Sequence, residues 1–459
     1  MDQSLIFDPE LIRRYDRSGP RYTSYPTAVQ FHEGFTVADY QATARATNES
    51  GRPLSLYFHI PFCDTVCFYC ACNKVVTKDR SRSARYLESL NREIAIQGAL
   101  FDPQRVVDQL HWGGGTPTFL SETEMQGLMD HTRQHFTLRD TGGEYSIEID
   151  PREAHGNTIS FLRELGFNRI SLGVQDFDPQ VQKAVNRLQT KEETIAVMEN
   201  ARAVGFHSIS IDLIYGLPFQ TVESFLQTLE AIIVLRPDRI AIFNYAHLPE
   251  LFMPQRRINA DDLPSAAEKL AILQATIECL TSAGYIYIGM DHFSLPEDEL
   301  ARAQRDRTLY RNFQGYSTHA NTDLIGMGAT SISKVGATYS QNLKDLESYY
   351  ARLDANHLAI FRGVKLNADD LIRRAVITAL ICHFQLDYDQ INLNHGINFR
   401  DYFAPEITEL SNMENDGLLS LSATGIIIHP RGKLLIRNIC MVFDRYLHDQ
   451  PKRRFSKVI

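Results

Sequence analysis

Residues 54–74 read Leu54-Ser55-Leu56-Tyr57-Phe58-His59-Ile60-Pro61-Phe62-Cys63-Asp64-Thr65-Val66-Cys67-Phe68-Tyr69-Cys70-Ala71-Cys72-Asn73-Lys74. The run 54–60 has the apolar make-up of a buried strand. It stops at Pro61, which has no N–H to give a ladder. Four of the chain's seven cysteines follow within ten residues, on what must be a loop. Thiols crowded onto one loop beyond a strand point to a ligand set rather than to packing.

The surrounding chain bounds what that ligand set serves. At 459 residues there is room for two or three domains and a large core. With 44% hydrophobic and 22% charged residues and a net charge of -9, a general nucleic-acid binder is not expected. Met1-Asp2-Gln3-Ser4 lacks the basic start and apolar core of a signal peptide, and no apolar run approaches the roughly 20 residues of a membrane span. Cys279, Cys382 and Cys440 are scattered in apolar settings and read as buried small hydrophobes. An odd cysteine count with four on one loop is not a secreted disulfide framework, so a reducing cytoplasm is expected.

Outward from the cysteines, a strand-then-helix rhythm runs from residue 54 to about 250. The expected strands are 54–60, 106–112, 145–149, 169–174, 208–214 and 239–245. Helical segments such as 83–100 and 191–204 lie between them, with apolar residues three and four apart. Six such units imply an α/β fold, a parallel sheet with helices outside in a curved or partial barrel. In that architecture reactive residues gather beyond the C-terminal ends of strands. Each repeat carries chemistry there: the cysteines; Gly113-Gly114-Gly115-Thr116-Pro117; Glu148 and Asp150; Gly173-Val174-Gln175-Asp176; Asp212 before Tyr215-Gly216; and Asn244-Tyr245-Ala246-His247.

The expected organisation is an N-terminal arm (1–50) without a long periodic segment, the barrel (51–300), an extension and connector (301–364), and a helical cover domain (365–459). The arm is either a solvated wrap or a lid whose Arg14, Arg17 and Arg21 offer guanidinium forks to carboxylates. In the last domain, helices are expected at 369–383 and 402–417, with a hairpin over 426–436 turning at Pro430-Arg431-Gly432.

The cysteine spacing is C-x3-C-x2-C with a fourth thiol two residues on. A structural zinc usually takes two short-spaced pairs far apart in sequence, and four thiolates around one zinc would be cramped here. Three thiolates on a compact loop suit three corners of a [4Fe–4S] cube. Electron-transfer clusters usually have four cysteines, so a missing fourth ligand leaves one iron for chemistry. Zinc and a plain electron carrier remain the alternatives.

This spacing directly after a first barrel strand resembles the radical S-adenosylmethionine (SAM) superfamily, with a partial (β/α)6 barrel. The 57–63 run, Cys72-Asn73-Lys74, the arm 14–26, the stretches 312–316 and 326–333, and Leu434 to Cys440 are similar to the oxygen-independent coproporphyrinogen III oxidase (dehydrogenase) family. That resemblance covers nearly the whole chain. It implies that Cys63, Cys67 and Cys70 hold the cluster and that Cys72 is a nearby non-ligand, singled out as the catalytic residue. It also implies that Tyr57, the Tyr69 backbone, Gly113, Gly114, Thr116, Glu148, Gln175, Arg187, Asp212 and Ala246 bind SAM, the Tyr69 backbone at the adenine, and that Ile332 touches a second SAM.

The implied reaction is oxidative decarboxylation of two propionates of coproporphyrinogen III, started by a 5'-deoxyadenosyl radical and giving protoporphyrinogen IX. A flavodoxin- or ferredoxin-like electron donor and a monomeric state are further expectations. The rival is a haem-binding chaperone of the same superfamily. Such relatives lack the fourth cysteine and the N-terminal arm, both present here.

Overall fold

The computed structural model describes residues 5–154 and 156–449. The chain forms two compact units, each drawn from separated stretches: residues 31–269 with 321–365, and residues 1–30 with 270–320 and 366–459.

The first of these units holds the parallel sheet. Its strands are β1 (Leu54–Ile60), β2 (Val107–Gly114), β3 (Glu144–Ile149), β4 (Arg169–Gln175), β5 (Ser208–Tyr215) and β6 (Arg239–Asn244), followed by β7 (Asp323–Met327), β8 (Ile332–Val335), β9 (Thr338–Asn342) and β10 (Ile360–Lys365). Their order is β10-β9-β8-β7-β1-β2-β3-β4-β5-β6. All pairs from β7 through β1 to β6 are parallel, and β7 to β10 are antiparallel. The six expected strands are all present within two residues of their expected ends, and the α/β partial barrel is the observed architecture.

Helices connect the parallel strands as expected. Arg82–Gly98 buries Tyr86, Leu87, Leu90, Ile94 and Gln97, one stripe at three- and four-residue spacing. Glu122–His135, Lys191–Ala203 and Val222–Leu235 each start at a reciprocal cap, in which Ser121, Thr190 or Thr221 bonds the third helical N–H and receives a side-chain bond in return. These caps fix where each helix begins, and hence the length of the loop left at each strand's C-terminal end.

Three expectations are corrected in detail. Residues 31–50 are not irregular: Val37–Thr47 is a helix that buries Tyr40 and Ala44, opened by a Thr36–Asp39 capping box. With only two buried positions its apolar stripe is too thin to read from periodicity. The expected hairpin also moves. The antiparallel strands are Leu419–Leu421 and Gly425–Ile428, joined by Gln385–Asp387 on the other side. The turn lies at 422–424 because Ser422 Oγ accepts from Thr424 N at 3.2 Å and Gly425 N at 2.9 Å. Ile436 instead opens a helix, Ile436–Val442. The expected 402–417 helix is split into Phe399–Tyr402 and Ala404–Asn415, with Pro405 in the first turn of the second, where its missing N–H costs nothing.

Within the second unit, the first thirty residues are pinned by its C-terminal part. Arg437 donates to the carbonyls of Gly19 and Pro20, and Asn438 Nδ2 to Tyr15 O at 2.9 Å. Tyr22 O–H donates to Asp444 at 3.0 Å. A Cβ on Gly19 would sit 2.3 Å from Met441 Sδ, so a larger residue there would require the Met441 side chain to move. Arg14 pairs with Asp416 at 2.7 Å, Arg21 pairs with Asp291, and Arg17 reaches Asn438 O at 3.4 Å. The arm is therefore built into its unit, and Arg14 and Arg21 already hold carboxylates of that unit.

One buried ion pair ties the edge of the parallel sheet together. Arg105 and Asp323, 3% and 2% exposed, meet at 2.6 Å. Arg105 also bonds Arg52 O, Thr47 and Asn48, and Asp323 accepts from Gly336 N. Arg105→Met leaves a buried carboxylate without its cation. The expected loss is about 3–5 kcal/mol, read as a lower urea midpoint for the transition of this unit. A midpoint like that of the parent would show the pair to be dispensable.

Candidate active site

The cysteines and the residues expected to meet the first SAM stand on β1 to β6, towards their C-terminal ends, or in the loops that follow, while Ile332 lies on β8. The cysteine loop leaves β1 through Pro61, and Phe62–Cys63 pairs with Val75–Val76. The loop is also tied to the segment after β4: Phe68 N donates to Val185 O at 2.9 Å and Asn186 Nδ2 to Val66 O at 2.7 Å. Phe68 and Tyr69 pack on an apolar cluster of Val181, Val185, Ile214, Leu217, Tyr245 and Ile258.

The sulfurs are surrounded by donors and cations. Thr116 Oγ1 lies 3.7 Å from Cys63 Sγ. Arg187 Nη1 and Arg152 Nη2 lie 3.5 and 3.8 Å from Cys67 Sγ. Lys74 Nζ donates to Cys70 O at 3.0 Å. Asp150 holds both arginines, at 2.9 Å to Arg187 and 2.7 Å to Arg152; burial works to raise its pKa, but the two guanidinium groups leave it below the usual carboxylate range. Cys72 is exposed while Cys63, Cys67 and Cys70 are half-buried. The Cys72 thiol donates to Cys70, the largest effect lowering the Cys70 thiol from its usual range.

The floor beside the loop is backbone. A Cβ on Gly115 would meet Phe62 O at 2.5 Å, one on Gly114 the His59 ring at 2.7 Å, and one on Gly113 the Glu148 carboxyl at 2.8 Å. Gly114 also has φ +118°, which side chains disfavour. Glu148 Oε2 accepts from Gly114 N at 2.9 Å, and Oε1 faces His111 Nε2 at 3.3 Å. Burial opposes ionisation of Glu148, yet His111 and the Gly114 N–H keep its pKa below the usual value. Tyr57 stacks on His111 at 5.8 Å, and its O–H meets His59 Nδ1 at 3.1 Å. His59 Nε2 faces the Asn73 carbonyl at 3.0 Å, so the proton sits on Nε2 and Nδ1 accepts from Tyr57. Burial lowers the His59 pKa, which keeps that ring neutral.

On the neighbouring strands, Gln175 ends β4 at φ +70°, at a register shift between Gly173 and Gln175. A bulge there re-aims its side chain. Arg187 donates to Gly173 O from the same corner. Asp212, on β5, accepts from Ser171 Oγ at 3.2 Å; burial and then the Glu148 charge push its carboxyl up to about 7. Ala246 and Ile332 have no polar side-chain atoms and are placed by their strands alone. Ala246 is exposed just beyond β6, and Ile332 opens β8 with its backbone against Gly326.

Sequence reasoning missed His59, His111, Arg152 and Gln255. The two histidines had a readable signal, since His59 follows Tyr57 and His111 precedes Gly113 by two positions, on the same strand face. Arg152 and Gln255 had none, because their partners on the cysteine loop, Cys67 and Tyr69, lie 85 and 186 residues away.

The donor set fits a cluster with one open position. Three thiols share one loop, and Arg152, Arg187 and Lys74 supply positive charge around them. Among the described residues, no three of His, Cys, Asp and Glu converge closely enough to hold a single metal ion.

Comparison with known proteins places the chain. The Radical SAM superfamily matches residues 57–232 and the HemN C-terminal domain residues 366–435. The oxygen-independent coproporphyrinogen III oxidase of Pseudomonas aeruginosa is 58% identical over 460 residues, covering 100% of both chains. That of Escherichia coli is 50% identical over 459 residues, covering 100% of this chain and 99% of its own. The solved coproporphyrinogen III oxidase of Escherichia coli, described as a radical SAM enzyme, superposes with a TM-score of 0.93 at 48% identity, covering 97% of this chain and 100% of that one. These relatives bear the name of the oxidase rather than of a haem chaperone. With half or more of its residues shared along its full length, the chain belongs to the oxygen-independent coproporphyrinogen III oxidases of the radical SAM superfamily.

Proposed function

We propose that this protein converts two propionate side chains of coproporphyrinogen III to vinyl groups, yielding protoporphyrinogen IX. Each propionate loses one hydrogen atom, CO2 and one electron. The observation that carries the reading is the meeting, on one strand-end rim, of the C-x3-C-x2-C loop with a side-chain-free glycine floor. Cys63, Cys67 and Cys70 would hold a [4Fe–4S] cluster, and Cys72 would stay unligated beside it. When bound, cluster and SAM supply the carbon radical that removes the hydrogen atom from substrate.

The chain's own residues bind and orient. Arg187 and Arg152 donate toward Cys67 and offset thiolate charge, while Thr116 does the same at Cys63. Gly113 and Gly114 let backbone groups approach the methionine portion of SAM. Glu148, ionised by His111 and the Gly114 N–H, suits its ammonium or ribose. Tyr57, held by His111 and His59, walls one side, and Gln175, Arg187, Asp212, Ala246 and the Tyr69 backbone complete the SAM contacts. Ile332 serves a second SAM. A flavodoxin- or ferredoxin-like protein delivers the electron, and the enzyme acts as a cytoplasmic monomer. Among the described residues no helix is long and apolar enough to cross a membrane.

The test is anaerobic reconstitution with iron and sulfide, then addition of dithionite, SAM and coproporphyrinogen III. Protoporphyrinogen and 5'-deoxyadenosine are expected to appear together. Haem binding with an intact cluster but no decarboxylation would overturn the proposal in favour of a chaperone.

A further inference from the structure

Gln255 ties the cysteine loop to the chain leaving β6 by hydrogen bonds. It sits in the short helical turn Met253–Arg257 and is 1% exposed. Its amide is used at both ends, and both partners are backbone groups. Nε2 donates to Tyr69 O at 3.0 Å, and Oε1 accepts from Leu248 N at 2.6 Å. Its own N–H and carbonyl are also bonded, to Phe252 O and Ile258 N, so the residue has no freedom to turn. Next to it, the Arg257 guanidinium lies 5.2 Å over the Phe68 ring, closing the same seam.

These contacts have a consequence for SAM, given the reading above in which the Tyr69 backbone meets its adenine and Ala246 is a further SAM contact. Leu248 is two residues beyond Ala246, so one buried amide sets the spacing between the two stretches. The Tyr69 carbonyl has two lone pairs, and Gln255 takes one. The other is left at a fixed angle for one further donor, which the 6-amino group of adenine provides. An oxygen at that position would face the carbonyl as a second acceptor and be repelled.

We propose that Gln255 is a positioning residue that fixes the Tyr69 carbonyl as a reader of the adenine amino group. It sets base selectivity without touching the cluster or the reacting atoms. Gln255→Met keeps the length and removes both hydrogen bonds. Gln255→Glu keeps the acceptor for Leu248 N and turns an oxygen toward the Tyr69 carbonyl in place of the donor.

The experiment measures equilibrium binding of SAM and of its 6-oxo analogue, S-inosylmethionine, to the cluster-loaded protein, with iron content determined on the same samples. The parent is expected to favour SAM. In both variants SAM affinity is expected to fall about tenfold, the scale of one lost hydrogen bond, and the preference to shrink by a similar factor, with iron content unchanged. Unchanged preference in the variants would overturn the role of Gln255 while leaving the Tyr69 reading intact. No preference in the parent would overturn both. Should Gln255→Met lose its iron, Gln255→Glu decides; loss of iron in both would show a structural role and overturn the proposal.

Discussion

Of four single Cys→Ala variants, those at Cys63, Cys67 and Cys70 are expected to hold no cluster and to fall to background turnover, and Cys72→Ala to keep its full iron. The drop in the first three is more than about 10⁶-fold, the usual minimum span of an enzymatic rate enhancement. The three sulfurs are half-buried; Thr116 faces Cys63, and Arg152 and Arg187 face Cys67. Lys74 fixes the backbone of Cys70. Cys72 is exposed, its thiol meeting Cys70 but neither arginine nor Thr116. Iron analysis and visible absorption of anaerobically reconstituted protein read the result. A Cys72→Ala chain without iron would refute the three-ligand assignment. Turnover of the same variant is a separate observable: lost turnover with a retained cluster gives Cys72 a chemical role.

SAM affinity is expected to rise about tenfold per pH unit below about 7 and to level off above it. Asp212 is responsible. Burial and the neighbouring Glu148 raise its carboxyl to about 7, against smaller opposing effects of Ser171, His111 and Arg187. Below that pH the group is neutral. A ligand bearing a sulfonium charge favours the carboxylate, so binding below this pH expels a proton and weakens as protons accumulate. Asp212→Asn removes the titration, and its affinity is expected to lose this slope and lie about tenfold below the parent at neutral pH. Equilibrium dialysis across the range measures both chains. A parental slope surviving in Asp212→Asn would exclude this carboxyl.

What could be read in the sequence was what is local. β1 and β5 are buried on both faces, so Leu-Ser-Leu-Tyr-Phe-His-Ile and Ser-Ile-Ser-Ile-Asp-Leu-Ile-Tyr stand out as apolar runs, and the ends of β2 to β5 are marked by glycines or carboxylates. The strands β7 to β10 were hidden because Thr-Tyr-Ser-Gln-Asn at β9 is polar, and because β7 finds its parallel partner β1 some 269 residues earlier, Leu54 against Asp323. The cysteines and Gly113 to Gly115 were legible because spacing within one loop is chemistry enough. Gln255 and Arg152 were not, since a glutamine or arginine acquires its role only from the backbone or sulfur that folding brings to it.

The division of the chain into interleaved units also sets a timetable. Residues 31–365 contain everything the parallel unit needs, and it is complete once β10 has left the ribosome. Residues 5–30 are synthesised before the parallel unit, yet their partners Arg437, Asn438 and Asp444 come after it. At about 5–20 residues per second, the leading segment waits roughly 20 to 70 s for residue 366 and longer for those partners. During that interval Tyr22 and Tyr25, buried in the finished protein, have no home. A segment made before the parallel unit is thus folded after it, and the nascent chain must keep that segment from other partners while the unit assembles.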